Sequence, residues 1–313
     1  MNLFSYVLRR LFYIIPLLLG VSAIIFILFN VVAPDPTLIM LGKHATTEQM
    51  IELRRELGLD RSWFVQYLDI VKSAFTFDFG RSWNTKQDIF EMIKNGAPAS
   101  LSLSVPAFFI ETVLSIALAL VVSYFRGRWI DRLSLFISTI LMSVPSLAYI
   151  LFGQWFFAYK LGWFEISGYT PGFPHFIPYI ILPMIIWVML GLGPNLRFYR
   201  TIILDEVYSD YIRTARAKGL SEKVIFLKHL LKNSMIPIIT HVVIDIPFLI
   251  LGAILLETFF SIPGLGSLTI TAVNSSDFPV IKAMTILSAV AYILFSLLSD
   301  VLYTLVDPRV RLK

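Results

Sequence analysis

Long apolar stretches alternate along the chain with short charged connectors. A helix rises about 1.5 Å per residue, so a bilayer core of about 30 Å takes about 20 apolar helical residues. Six runs meet that length. Residues 11–33 carry no charge, 99–125 carry only Glu111, and 133–159 carry none. Residues 176–196 are also uncharged but contain Pro178, Pro183 and Pro194. Residues 234–260 hold Asp245 and Glu257, and 283–306 hold Asp300. No soluble core helix needs such length without charge. The pattern therefore predicts an all-α membrane protein with six transmembrane helices, the first an uncleaved anchor, because its run is too long for a signal-peptide core of about 7–15 residues.

Composition agrees: 57% of the 313 residues are hydrophobic and 15% charged, against about 45–50% and about 25% in soluble domains. There is no cysteine, which excludes disulfides and thiolate metal sites. The net charge of +5 matters less than its placement. With the N-terminus inside, the cytoplasmic segments hold Arg9 and Arg10, then Arg126, Arg128 and Arg132, then eight Lys or Arg between 197 and 233, and finally Arg309, Arg311 and Lys313. The long 34–98 segment carries eight basic and nine acidic residues and is long enough to escape the positive-inside rule, which governs short loops. Both termini are expected in the cytoplasm.

The expected domains are an N-terminal anchor (1–33), an extracytoplasmic helical subdomain (34–98) and a five-helix core (99–313) with a cytoplasmic loop at 197–233. In the outer segment, residues 46–57 predict a helix capped by Thr46 or Thr47 and stopped by Gly58. Trp63, Phe64, Tyr67, Leu68, Val71, Phe75, Phe77 and Phe79 offer apolar mass to pack on the membrane domain. No internal repeat of the secondary-transporter kind is visible.

In the 197–233 loop, Ser209-Asp210 can cap a short helix through Arg213, Ala215, Ala217 and Lys218. Gly219 supplies a left-handed terminator, and Ser221 with Glu222 can open a second helix. Ala215 and Ala217 keep the rod thin enough to fit a groove on another protein. An amphipathic connector lying at the interface fits the same residues, whereas DNA recognition is disfavoured for a segment tethered between two spans.

Asp210-Tyr211-Ile212-Arg213-Thr214-Ala215-Arg216-Ala217-Lys218-Gly219-Leu220-Ser221 resembles the cytoplasmic signature loop of ABC importer permeases, most closely the dipeptide/oligopeptide branch. The family motif is Glu-Ala-Ala, three residues, Gly and a stretch reaching Pro. Ala215 and Gly219 match, Arg213 and Thr214 replace the Glu and first Ala, Lys232 stands where many members have the first Pro, and Pro237 fits a later one. The likeness extends to Tyr6 through Pro36, with Arg9-Arg10 and Ala33-Pro34-Asp35-Pro36. It continues in Leu57-Gly58-Leu59-Asp60 with Gln66-Tyr67, and in Asp78-Phe79-Gly80-Arg81-Ser82. Glu257-Thr258-Phe259-Phe260 with Ile262-Pro263-Gly264-Leu265-Gly266, and Asp307-Pro308-Arg309-Val310-Arg311, complete it.

The resemblance implies a type I ABC importer permease fold in a bacterial or archaeal cytoplasmic membrane, moving di- or oligopeptides by alternating access. It implies as partners a second homologous permease (a heterodimer), two ABC ATPase subunits and an extracytoplasmic solute-binding protein, and it implies no nucleic acid. Asp210, Tyr211, Arg213, Ala215, Arg216, Lys218 and Gly219 are the residues it implies for coupling to the ATPase. Nickel, glutathione or sugar permeases of the same family, and an ion-coupled secondary transporter, are the alternatives.

No cofactor is expected on this chain. It has no G-x-x-x-x-G-K-[ST] loop to cradle phosphates, so ATP and magnesium belong to the ATPase partners. Gly191-Leu192-Gly193 reads as a helix end or bend, and Pro263-Gly264-Leu265-Gly266 as a turn at the outer mouth. Intramembrane protease motifs are missing, and His44, His175, His229 and His241 lack metal-ligand spacing.

Charges inside spans are costly, about 2.5–3.5 kcal/mol each at a helix centre on insertion scales, so they face protein or water. His241 and Asp245 share a helix face. Glu111, His241 and Asp245 either line the substrate pathway, Glu111 and Asp245 as counter-charges for a peptide ammonium, or hydrogen-bond between helices. A wide peptide pathway needs weakly binding walls, which favours the packing role. Glu257 and Asp300 sit near span ends, where snorkelling suffices. Pro106, Pro145, Pro183 and Pro247 lie within spans and can kink them.

Overall fold

The computed structural model describes residues 3–32, 35–42 and 45–306, and among these it is helical with no strand. Ala33, Pro34, His44 and the Asp307–Arg311 ending lie outside the described residues, and so does the side chain of Asp300. Helix α1 (Leu3–Ile27) continues as π-helical turns through Val32. Short helices α2 (Pro36–Leu41), α3 (Thr47–Glu56) and α4 (Trp63–Thr76) follow. Thr46 caps α3 in a full capping box with Gln49, and Gly58 takes φ +68 just beyond the helix end, as the residue pattern predicts.

Helix α5 (Ile89–Tyr124) begins ten residues before the apolar run, because the Asp88 side chain accepts the Glu91 backbone N–H and starts it there. Pro98 and Pro106 lie inside α5. Helix α6 (Trp129–Ser143) and helix α7 (Ser146–Gly153, extended by π-helical turns to Lys160) meet at 89°. The expected third span is thus broken rather than kinked. Pro145 has no N–H to continue the ladder, and Val144 before it sits in the β region.

Helix α8 (Ile177–Val207) runs on past the expected span end at 196 and straight through Gly191 and Gly193, so these glycines do not end it. Their role is close approach: a Cβ on Gly191 would strike the Glu111 side chain, and one on Gly193 would crowd Met142 and the Ser138 carbonyl. Helices α9 (Asp210–Ala217) and α10 (Glu222–Val224) form the next connection, with π-helical turns through Leu230 leading into α11 (Leu231–Leu251). The expected fifth span to residue 260 stops short, since Gly252 at φ +76 turns the chain before α12 (Ile254–Phe259). Helices α13 (Leu265–Asn274) and α14 (Phe278–Val306) complete the chain.

Among the described residues, four helices are long and apolar enough to cross a membrane, and five if the bent α6–α7 pair counts as one. The α5–α8 pair is the most extensive helix packing, followed by α11–α14 and α6–α8. One core gathers Val122, Tyr199, Ile203, Ile212, Ile225 and Leu230 beneath α9. Another, built from Leu103, Ile150, Leu182, Ile186 and Phe260, joins α5, α7, α8 and α12.

The expected packing of the aromatic cluster in 63–79 holds only in part. Ile70 and Ala74 are the buried residues of α4, and Phe79 packs inward, whereas Trp63, Phe64, Leu68 and Phe75 are exposed.

Candidate functional site

The α8–α10 connection is a small, tightly locked device. Leu220 N–H donates to the Ala215 carbonyl and Gly219 N–H to the Arg216 carbonyl, the paired bonds of a Schellman end, with Gly219 at φ +77. Across that turn the Arg216 guanidinium grips both oxygens of Glu222, Nε at 2.7 Å and the second nitrogen at 3.3 Å. A bidentate charged pair fixes direction as well as distance, and the Glu222 carboxylate raises the Arg216 pKa above its ordinary range. Tyr211 Oη donates to Glu206 at 2.5 Å and ties α9 back to α8. Burial, then the Glu206 bond, push the Tyr211 hydroxyl up from its usual pKa. Ser209 holds the N-cap position, but its hydroxyl donates backward to the Glu206 carbonyl instead of capping, and Ser221 likewise makes no side-chain cap.

The two faces of α9 differ sharply. Ile212 and Ala215 are buried in the core shared with α5 and α8. Asp210 is 96% exposed, and Arg213, Thr214, Ala217, Lys218 and Gly219 are exposed with it. Of the seven residues expected here, Asp210, Arg213, Lys218 and Gly219 face outward, while Tyr211, Ala215 and Arg216 hold the helix in place. The small size of Ala215 therefore serves the inward packing, and Ala217 keeps the outer surface thin.

Glu111 and Asp131 are held by hydrogen bonds, whereas Asp245 has a looser neighbour in His241. Glu111 is buried on α5 and accepts from Ser115 Oγ (2.8 Å) and from Asn195 Nδ2 (2.9 Å) on α8. Asp245 lies 3.4 Å from His241 Nδ1 on α11, and the His241 ring lies tilted against Phe198, centroids 4.4 Å apart, and meets Tyr199 edge-on. Asp131 on α6 takes a bidentate grip from Arg200 on α8 at 2.7 and 2.9 Å and accepts the Gly127 N–H.

Glu257 does not snorkel. It is fully buried, and its carboxylate accepts Ser100 Oγ (2.7 Å) and the backbone N–H groups of Ala253, Gly266 and Ser267. Ser100 Oγ in turn accepts the Leu265 N–H at 2.7 Å. The Ile262–Gly266 turn is thus clamped to α5 and α12, with the carboxylate at the positive end of α13. A second clasp was not foreseen: buried Asp277 accepts Ser82 Oγ (2.5 Å) and the Trp83 N–H (3.1 Å), pinning the 80–89 hairpin to the α13–α14 turn. In both cases the only signal in the sequence is an acidic residue within or beside an apolar run, with nothing to name its distant partner.

Residues 111–312 match the family described as binding-protein-dependent transport system inner membrane component, and residues 3–104 match its N-terminal companion. The chain is 32% identical to the dipeptide transport system permease protein DppB of Alkalihalophilus pseudofirmus, over 98% of this chain and 99% of that protein. It is also 32% identical to the glutathione transport system permease protein GsiC of Shigella flexneri, over 99% of each. A solved structure of the MetNI methionine ABC transporter in inward-facing conformations shares the fold, with a TM-score of 0.54 at 15% identity, over 70% of this chain and 97% of that one.

Proposed function

From the premise that this chain belongs to the binding-protein-dependent transport system inner membrane component family, we propose that it is one permease subunit of an ATP-driven peptide importer. In this reading six spans cross the cytoplasmic membrane with both termini inside: α1, α5, the broken α6–α7 pair, α8, α11 and α14. Residues 34–98 lie outside the cell, and the 99–313 core pairs with a second permease. Two ATPase subunits bind ATP and magnesium and do the hydrolysis, and a solute-binding protein delivers cargo from outside. Relatives named for dipeptide and glutathione transport support short peptides as the cargo class.

The observation that carries the reading is the two-faced α9. A rod that protrudes with Asp210, Arg213 and Lys218 outward, yet is rooted through Ile212 and Ala215 in the core of α5 and α8, is suited to carry force from a partner into the bundle. ATP-driven closure of the partners would move α9, and α8 and α5 would follow as packed bodies.

Gly219→Val tests this. A β-branched residue does not tolerate φ +77, so the Schellman end opens and α9 loses its set angle. The variant is expected to insert and assemble normally, to retain ATP hydrolysis by the complex, and to lose peptide uptake in proteoliposomes. Full uptake would reject the coupling role. The same assay separates the two readings of Glu111 and Asp245. Unchanged uptake by Glu111→Gln and Asp245→Asn assigns them to packing, whereas selective loss for peptides with a free ammonium group assigns them to the pathway.

A further inference from the structure

Helix α4 carries three distinct faces. Trp63, Tyr67, Ile70 and Ala74 turn toward α1 and α14, where Ile70 and Ala74 join a core with Ile25 and Ile286. On the opposite flank from Val71, Gln66, Asp69 and Ser73 line a cavity of about 300 Å³ together with Arg61 and Lys282. Between these runs the stripe Phe64, Leu68, Val71 and Phe75, spaced at i, i+4, i+7 and i+11 and so on one helical face. Phe64 is 69% exposed, Leu68 45% and Phe75 52%, and no described element covers them.

The depth of α4 is fixed by its bonds to α1. Asn30, the amide near the end of the apolar run, donates to Gln66, and Tyr67 Oη donates to the Leu19 carbonyl at 3.1 Å, well inside that run. The rings of Trp63 and Tyr67 both meet Phe26 edge-on. The Tyr67 hydroxyl reaches deepest, to the Leu19 carbonyl, while the rings of the first turns of α4 sit at the level of Phe26, four residues inward from Asn30. At 1.5 Å per residue that is about 6 Å, within the depth of about 5–10 Å at which amphipathic helices lie in the headgroup–acyl boundary. Helix α1 likewise exposes apolar residues, among them Ile24, Ile27 and Leu28.

We infer that α4 is a membrane-interface anchor that seats Phe64, Leu68, Val71 and Phe75 in the lipid acyl region. Its occupant is the lipid surface, and the polar face toward Asp69 and Ser73 stays wet. The segment 34–98 is then not wholly a water-exposed subdomain: it is held at a set height against the bilayer, beside the cavity and the Asp277 clasp. The inference rests on α1 being a membrane span.

The absence of cysteine makes the test direct. Single nitroxide labels are placed at Phe64→Cys, Leu68→Cys, Phe75→Cys and Lys72→Cys on the full chain, assembled with its partner subunits in lipid nanodiscs. The cysteine-free parent, carried through the same labelling, supplies the background. Collision with lipid-soluble oxygen is compared with collision with a water-soluble nickel chelate. Oxygen is expected to exceed nickel at the three stripe positions and nickel to exceed oxygen at Lys72. Nickel dominance at the stripe overturns the inference in favour of a solvated helix. Exclusion of both reagents overturns it in favour of a protein seated there. A control at Ile24→Cys, exposed on α1, separates the premise from the proposal, since nickel access there would mean that α1 does not span. If one stripe variant fails to assemble, the other two still decide.

Discussion

At Glu257 a single carboxylate organises a whole turn. Its Oε1 serves Ser100 and Ala253, and its Oε2 serves Gly266 and Ser267, so four donors converge on one buried group. Gly252, Gly264 and Gly266 surround it; a Cβ on Gly252 or Gly264 would collide with the carboxylate, and one on Gly266 with the Ile254 backbone. Glutamine has the same size but one acceptor oxygen, and its NH2 would face two backbone or hydroxyl donors. A stranded buried donor costs about 1–3 kcal/mol, so Glu257→Gln should lose more stability than Ser100→Ala, which strands only the Leu265 N–H. The order expected for the midpoint of thermal unfolding in detergent is parent, then Ser100→Ala, then Glu257→Gln. A Glu257→Gln variant as stable as the parent would show that the clamp contributes nothing. The sequence places Glu257 in a span, but it does not reveal the clamp, because Ser100 is 157 residues away and its role depends on how α5 meets α12. Glu111 was more legible as a buried charge, yet its partner Asn195 again lies on another helix.

At the scale of elements, local chemistry was readable and long-range breaks were not. The N-cap at Thr46, one of the two threonines expected there, the stop at Gly58 and the left-handed end at Gly219 all follow from residues within one turn. The break at Val144-Pro145 and the early end of α11 at Gly252 were missed, since a hydrophobic run looks the same whether its helix continues or folds back. The Arg216–Glu222 latch belongs to this scale, because it fixes the angle between α9 and α10. If that angle matters, Arg216→Glu and Glu222→Arg should each impair uptake by placing like charges about 3 Å apart, and the double exchange should restore most of it. Exposed pairs are worth about 0–1 kcal/mol, and this one is only partly exposed. The effect should therefore appear in coupling rather than in thermal stability. Equal uptake by all three variants would leave α9 held by Ile212, Ala215 and the Tyr211–Glu206 bond.

For the molecule as a whole, the bias of basic residues in short connectors predicts an orientation, and the structure gathers two groups of connectors at different ends of the helices. Arg126 and the α9–α10 connection lie at one end of α8: Arg126 sits over the Tyr208 ring, 5.2 Å from its centroid, two residues from the start of α9. At the other end, the Gly168 N–H donates to the Phe260 carbonyl, and Gln154 reaches the Ile166 and Phe259 carbonyls, gathering the 161–176 loop onto α12. Two connector groups thus lie at opposite ends of the same helices, joined through α8 and the two cores that flank it. If the first end is cytoplasmic, Ser221→Cys and Arg128→Cys should resist a membrane-impermeant maleimide in intact cells and react only after permeabilisation. Ser167→Cys and Lys86→Cys, both exposed positions, should react in intact cells. The reverse pattern would invert the molecule and put α9 out of reach of any cytoplasmic ATPase. Because the parent chain has no cysteine, each reaction reports one position, and agreement among all four would tie the coupling end, the outer loop and the interfacial α4 to a single frame.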